Sequence, residues 1–272
     1  MYRGFKLTLD DFPEQESAEL HRIGSDLFAE QKKNIRRSLD TLVLEDGSID
    51  ASELQDQWFP ELPADVFISH SHRDEQRVLI LAGYLKKYLS ITSFIDSAVW
   101  GYGGDLLKDI DNEYCSFQRE GKRYYNYDAR NLSTSHVHLM VASALNKMID
   151  STECIFFLET PNSVKTSAVM DTTLSPWIHS EILTTQFIRK RKPWEHANRR
   201  HLVKSMLEGG KLGTINESVS MTYPIKTGHL TPINLNASLL LMWRMKALYE
   251  DYKLDALYQL YPAPTKQQVL NG

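Results

Sequence analysis

The sequence predicts an α/β fold in which a parallel β-sheet carries helices on both faces. Three short apolar segments, at 65–69, 92–95 and 153–158, have the length and composition of buried strands. Segments with helical spacing of apolar residues, at 75–89 and 135–150, lie between them. Strands that alternate with helices favour parallel pairing, because each connecting helix crosses one face of the sheet.

The first predicted element is an amphipathic helix over 17–43, where leucine and isoleucine recur between charged residues at mixed helical spacings. A turn follows, and then two prolines, Pro60 and Pro63, mark 44–63 as a connector. Residues 1–63 are therefore predicted to be an N-terminal helical extension and connector.

The central part of the chain, 64–200, carries the predicted domain. Besides the elements above, it contains apolar residues at helical spacing over 105–114 and 176–191. The segment 116–134 is predicted to be a polar, tyrosine-rich loop, longer than loops in compact domains usually are. This loop is the part of the domain that the alternation of strands and helices leaves unexplained.

The last part of the chain, 201–272, is predicted to be a mostly helical C-terminal extension. A short strand is expected at 221–225, and one or two helices are expected within 236–261. Methionine and aromatic residues recur at helical spacing in these helices. That pattern predicts core packing or a contact between copies of the chain.

In doubly wound parallel sheets, ligands bind beyond the carboxyl ends of the strands. The polar segments 69–73, 96–100 and 160–163 each follow a predicted strand. We therefore expect these three segments to lie together at one edge of the sheet, which is where chemistry should be sought.

Charge and composition restrict the partners and the compartment. The chain has 272 residues and a net charge of −4, with 31 basic and 35 acidic residues, so it lacks a general attraction for nucleic acid or anionic membranes. The longest apolar run, 239–243, is too short to span a bilayer, and the N-terminus does not resemble a signal peptide. The two cysteines fit a reducing compartment. We expect a soluble, cytoplasmic protein with no nucleic-acid or membrane partner.

One helix start combines several distinctive residues. Ser175 is a good N-cap, and Pro176 suits the first helical position. Trp177 and Glu181 are four residues apart and therefore share one face near the N-terminus of this helix. By composition alone, the pattern favours a capped helix with a core tryptophan and a solvated glutamate.

Three motifs change that interpretation when they are taken together. They are the strand and loop at 66–74, the strand and loop at 94–100, and the helix start at 175–181. Their order and spacing resemble those of TIR domains, and in particular the bacterial TIR proteins of antiphage systems such as Thoeris. The resemblance covers roughly residues 64–192 and implies a flavodoxin-like fold.

TIR enzymes of this kind cleave NAD, release nicotinamide, and either hydrolyse or cyclise the ADP-ribose. The resemblance implies that NAD is the substrate, with no separate cofactor, that Glu181 is the catalytic carboxylate, and that Trp177 is an aromatic wall beside it. Nicotinamide leaves readily because its ring nitrogen is cationic in NAD. The transition state therefore resembles a ribosyl oxocarbenium ion, which a carboxylate stabilises.

The resemblance also implies a set of substrate-binding residues. Ser69 and His70 would border the nicotinamide end of the pocket. Asp96, Ser97 and Trp100 would flank or gate it.

A metal site is not expected. His136 and His138 are two residues apart on a predicted helix, so their side chains point about 200° apart and do not chelate one ion. No cluster with zinc-ligand spacing occurs. The run 101–104 is glycine-rich but lacks both the GxGxxG pattern and a P-loop lysine, and we interpret it as a flexible loop.

The resemblance further implies a homo-oligomer, a role in antiphage defence, and an effector protein reached through a nucleotide product. The contact between copies would involve the 17–43 helix or the C-terminal helices. One alternative is a non-catalytic TIR adaptor that acts by protein–protein assembly. A third hypothesis is a hydrolase of similar fold that acts on another N-glycoside.

Overall fold

The computed structural model describes residues 1–10, 12, 14–33, 49–95, 97–166, 171–196 and 222–263, without the side chains of 97–102. Its strands are β1 (Arg3–Leu9), β2 (Val66–Ser69), β3 (Ser93–Ile95), β4 (Ser116–Arg119), β5 (Lys122–Tyr125), β6 (Cys154–Leu158), β7 (Thr172–Thr173), β8 (Tyr223–Pro224) and β9 (Thr231–Leu235). Its α-helices are α1 (Glu14–Lys33), α2 (Ala51–Trp58), α3 (Glu75–Leu89), α4 (Ser97–Tyr114), α5 (Tyr127–Ser151), α6 (Pro176–Phe187), α7 (Ala237–Ala247) and α8 (Lys253–Leu260).

The main sheet has five strands in the order β3-β2-β6-β1-β9, and every pair is parallel. Strands β2, β3 and β6 are arranged as the first three strands of a flavodoxin-like sheet, in which the first strand lies between the second and the third. The next two positions are filled by β1 and β9. The predicted α/β class, with a parallel sheet flanked by helices, is confirmed.

The sheet includes segments that the sequence analysis assigns to terminal extensions. Strand β1 lies within 1–63, where we expected only a helix and a connector, and β9 lies within 201–272. Phe5, Leu7 and Leu9 alternate with polar residues in β1, and all three are buried. This two-residue period is the mark of a strand, and we missed it.

Each face of the sheet is covered by its own set of helices. Val66 and Ile68 of β2 face a core shared with α1, α3, α7 and α8. Phe67, between them, faces the opposite core, shared with α2, α4, α5 and α6. Successive side chains of a strand point to opposite faces, so both faces of β2 are buried.

The predicted loop at 116–134 is wrong. Its first half is the hairpin β4–β5, whose two-residue turn is formed by Glu120 and Gly121, both with positive φ, as a type I′ turn requires. Its second half belongs to α5, which begins at Tyr127 because the Asn126 side chain accepts a hydrogen bond from the backbone of Ala129. Because this segment is polar and rich in tyrosine, its composition did not indicate either the hairpin or the start of the helix.

Other predicted boundaries hold more closely. The helix at 75–89 is confirmed as α3, and 236–261 contains the two helices α7 and α8. The 105–114 helix begins earlier, at Ser97, and the 176–191 helix ends at Phe187. The 17–43 helix corresponds to α1, and its continuation over 34–48 lies outside the described residues.

Within the described ranges, no helix is both long enough and apolar enough to cross a membrane.

Helices α1 and α3 touch backbone to backbone at two glycines. A Cβ atom added to Gly24 would overlap the carbonyl oxygen of Leu79, and one added to Gly83 would overlap that of Leu20. Neither neighbour is a flexible side chain that could turn away. The close approach of the two helices therefore depends on glycine at both positions.

We expect Gly83→Ala to lower the free energy of unfolding by about 3 kcal/mol, because the methyl group forces the two helices apart. Helix propensity alone would predict the opposite effect, because alanine stabilises a helix more than glycine does. Urea denaturation measures the change. Gly228→Ala, with nothing within 4 Å of the added Cβ, is the matched control and should be nearly neutral. Equal stability of Gly83→Ala and the wild type would contradict the close contact.

Candidate functional site

A serine and a glutamate meet at the carboxyl edge of the sheet. Ser69 is the last residue of β2, and its Oγ donates a hydrogen bond of 2.6 Å to Oε2 of Glu181 in α6. The exposed fraction is 0% for Ser69 and 1% for Glu181. Two residues that the sequence analysis assigned to one site are therefore joined directly, although 112 positions separate them in the chain.

Helix α6 presents Glu181 to the interior because of how the helix begins. The Ser175 side chain accepts a hydrogen bond of 3.2 Å from the backbone of Ile178, and Pro176 occupies the first turn. Ile178 and Ile182 lie on the same buried face as Glu181. The solvated glutamate that composition alone favoured is therefore not what the structure contains.

His70 and Trp177 flank this pair along the chain. His70 follows Ser69 directly, is buried, and has its Nδ1 3.5 Å from the carbonyl oxygen of Ile68. Trp177 is half-buried one turn before Glu181, and its ring meets the His138 ring of α5 edge to face at 5.8 Å. The structure thus places His70 at the same strand end as Ser69, and it packs Trp177 against α5.

The loop after β3 is the part of the predicted site that the structure does not describe. Asp96 lies outside the described residues. Ser97 and Trp100 belong to the first turn of α4, and their side chains lie outside the described part. Their role beside the pocket stays a prediction.

A second polar cluster, in which Asp74, Thr160 and Ser163 are buried, lies at the same edge. Thr160 Oγ1 donates to one carboxylate oxygen of Asp74 at 2.5 Å, and Asn162 Nδ2 donates to the other at 2.8 Å. Ser163 Oγ in turn donates to the carbonyl oxygen of Leu158 at 2.9 Å. The cluster ties the loop after β2 to the loop after β6. The sequence placed 160–163 at this edge but did not single out Asp74.

The outer side of α6 is held by a segment far along the chain. His179 Nδ1 lies 2.9 Å from the carbonyl oxygen of Pro224, and its ring stacks on Tyr223 at 5.3 Å. Further on, Thr185 Oγ1 lies 2.6 Å from His229 Nε2. Burial lowers the pKa of His229, and the charge of Lys190 lowers it further. Sequence reasoning missed these contacts because they join segments more than 40 residues apart.

The chain after α6 returns to the end of α5. The backbone amide of Arg191 donates to the carbonyl oxygen of Met1 at 3.1 Å, and its side chain forms an ion pair with Asp150. His196 is buried, with Nδ1 3.3 Å from the carbonyl oxygen of Ser151. Burial lowers the pKa of His196, because the protonated ring would lose its hydration.

A separate cleft of about 370 Å³ lies between α2, α4 and α5. Its wall is mostly apolar and includes Leu54, Ile110 and Met140. None of the described candidate-site residues lines it. In the part of the chain that is described, no group of three or more histidine, cysteine or acidic residues is placed to hold a metal ion.

Both cysteines, Cys115 and Cys154, are buried, and they do not form a disulfide. Burial raises the pKa of the Cys154 thiol, as expected for an inert side chain inside β6.

Comparison with known proteins finds no matching family model, no matching curated protein and no matching solved structure.

We expect Ser69→Ala to lower the free energy of unfolding by about 2 kcal/mol, because it removes a buried hydrogen bond to a carboxyl group. Combining it with Glu181→Leu, which cannot accept the hydrogen bond, in a double-mutant cycle should give a coupling energy of about 1 kcal/mol. Ser135→Ala, on the exposed face of α5, is the control and should change stability by less than about 0.5 kcal/mol. Additive single and double variants would contradict the Ser69–Glu181 contact.

Acid should destabilise the fold through His196. Its folded-state pKa is lowered, so the unfolded chain binds the proton more readily, and stability falls as the pH decreases below about 6.5. We expect His196→Gln to make that fall shallower in urea titrations between pH 7 and pH 5. The variant His72→Gln, at a histidine whose side chain is 75% exposed, is the control. An unchanged slope in His196→Gln would contradict the assignment.

Proposed function

We propose that the protein is a TIR-type enzyme that cleaves the N-glycosidic bond of NAD, with Glu181 as the catalytic carboxylate. The observation that carries the proposal is the buried hydrogen bond from Ser69 to Glu181 at the carboxyl edge of the parallel sheet. Ligands of such sheets bind at that edge. A buried carboxyl group there is costly to maintain for stability alone, which makes a functional role the better explanation.

The chemistry needs little from the protein beyond one carboxylate in the right place. The C1′–N bond breaks with its electron pair going to the nicotinamide nitrogen, which neutralises the ring. The ribosyl oxocarbenium ion that forms is stabilised by the Glu181 carboxylate. Water then attacks C1′ and loses a proton to give ADP-ribose, or an adenine nitrogen attacks and closes a cyclic product.

Ser69 acts as a positioning residue in this scheme. Its hydroxyl donates to Oε2 of Glu181 and fixes the orientation of the carboxylate on the rigid end of β2. Because Glu181 is buried, substrate entry requires movement of the side chains that cover it.

The wider role follows from the resemblance to antiphage TIR proteins. A cyclic product would serve as a nucleotide signal to an effector protein, whereas hydrolysis would deplete NAD. A homo-oligomer and a cytoplasmic location belong to the same proposal.

The test is NAD turnover by the purified protein, with the products resolved by chromatography and mass spectrometry. We expect nicotinamide release by the wild type and a loss of at least about 100-fold in Glu181→Gln. The glutamine keeps the size of the side chain and still accepts the hydrogen bond from Ser69. Glu159→Gln, at a glutamate that pairs with Lys6 just beyond β6, is the matched control and should retain full turnover.

Each outcome separates the hypotheses. Turnover that survives in Glu181→Gln would exclude the assignment of Glu181. Absence of turnover in the assembled wild type would favour the TIR adaptor, and cleavage of other N-glycosides in preference to NAD would favour the nucleoside hydrolase.

A further inference from the structure

The cleft between α2, α4 and α5 has the size and composition of a small-molecule site. Its volume is about 370 Å³, and ligand pockets occupy roughly 300–1,000 Å³. Most of its wall is apolar and is formed by Ile49, just before α2, and by side chains of the three helices: Leu54, Ile110, Leu132 and Met140. Pockets that bind small molecules combine such a wall with a few polar groups.

Two polar residues of the cleft wall belong to a buried hydrogen-bond network. Cys115 and Ser133 line the cleft, and both are buried. Ser133 Oγ donates to Oδ1 of Asp111 at 2.7 Å, and Cys115 Sγ donates to Ser133 Oγ at 3.8 Å. Behind the wall, Asp111 forms an ion pair with Arg130 at 2.8 Å. Because a hydroxyl oxygen has two acceptor lone pairs, Ser133 has the capacity to accept a second hydrogen bond from a donor in the cleft.

These features define the kind of ligand that the cleft accepts. The described residues that line it include no aspartate, glutamate, lysine or arginine. A charged ligand would therefore lose its hydration against the apolar wall without an ionic partner in return. A helix with its side chains is about 10 Å across, which is too wide for a cleft of about 370 Å³. The cleft thus suits a small molecule better than a partner helix.

We propose that this cleft binds a small, uncharged and mostly apolar molecule that carries one hydrogen-bond donor. The apolar part of the ligand packs against Leu54, Ile110 and Met140, and Ser133 Oγ accepts the hydrogen bond from its donor. The site is separate from the one around Glu181, because none of the described residues of that site lines the cleft.

This inference goes beyond the proposed function and does not depend on NAD cleavage, because every readout below measures binding and none measures turnover.

The first experiment titrates the full chain with N-phenyl-1-naphthylamine, an uncharged probe with two aromatic groups and one N–H donor that fluoresces strongly only in apolar surroundings. We expect saturable binding with a dissociation constant of about 10 μM. Its sulfonated counterpart, 8-anilinonaphthalene-1-sulfonate, has nearly the same shape but carries a negative charge. The sulfonate should bind at least about fivefold more weakly, because it would lose hydration in the cleft. A competitor with oxygen in place of the N–H group, 1-phenoxynaphthalene, should displace the probe less effectively than the unlabelled amine does, because it has no donor for Ser133.

Two variants test the location by filling the cleft. Ala51→Trp and Ala129→Trp each enlarge a small residue of the wall that lies outside the core, and each should weaken binding of the probe by at least about tenfold. Ala237→Trp is the matched control, because Ala237, like Ala51, is the exposed first residue of a helix. It lies outside the cleft and should leave the affinity unchanged. Circular dichroism and urea denaturation check that all three variants are folded.

Cys115 reports the position of the probe without any substitution. It lines the cleft, whereas Cys154, the other cysteine of the chain, is completely buried in β6. Saturation with the probe should slow alkylation of Cys115 by iodoacetamide at least about fivefold, because the bound molecule covers the thiol. Peptide mapping by mass spectrometry identifies the modified cysteine. In denaturing urea, the probe should leave the rate unchanged.

The proposal would be overturned by a lack of saturable binding, by tighter binding of the sulfonate, or by equal affinity in the wild type and both cleft-filling variants. Alkylation of Cys115 at the same rate with and without the probe would place the bound molecule elsewhere. Binding that weakens as the protein concentration rises would show instead that a second copy of the chain covers the cleft.

Discussion

Strand β6 is the part of the sheet on which the other elements depend. It pairs with β2 on one side and β1 on the other, and each of its five side chains is completely buried. A strand enclosed on both edges and both faces has its register fixed, since a shift by one residue would exchange the two apolar faces. The register aligns Ser69 with Phe157, so the hydroxyl lies at the end of the sheet beside α6. A polar site therefore depends on an apolar strand.

The candidate site is assembled from distant parts of the chain. Ser69 comes from β2, Glu181 comes from α6, and the segment around β8 holds the outer side of that helix through His179 and Thr185. No short stretch of sequence contains the site. Its geometry is a property of the whole α/β domain, and loss of any one support would shift the Glu181 carboxylate.

Local signals in the sequence predicted the elements with strong periodicity and clear caps. The α3 helix is an example of periodicity, and the start of α6 at Ser175 is an example of a cap, because a capping side chain acts on residues only a few positions away. The Ser69–Glu181 pair was reached through a resemblance and not through spacing. A hydrogen bond across more than 100 residues leaves no local trace. The partners of strand β1, β6 and β9, lie far along the chain, so no neighbouring segment indicates that β1 belongs to a sheet.

The same limits explain the hairpin β4–β5. Its side chains are almost all exposed, so it lacks the alternation between apolar and polar residues that identifies a half-buried strand. Glutamate is also uncommon at positive φ, so Glu120 did not indicate a turn at this position.

Strand β1 occupies an interior position of the sheet although it is the first element of the chain, and this has a consequence for the order of folding. Its two neighbours, β6 and β9, are the fourth and fifth strands of the sheet in chain order, so β1 must wait for both. During synthesis, β1 gains its first partner only after residue 158 has emerged, and it remains an edge strand until residue 235. A nascent chain interrupted between these points would carry an open edge along Phe5, Leu7 and Leu9. Mispairing at this open edge is therefore a hazard for a nascent chain that has passed residue 158 and not yet reached residue 235.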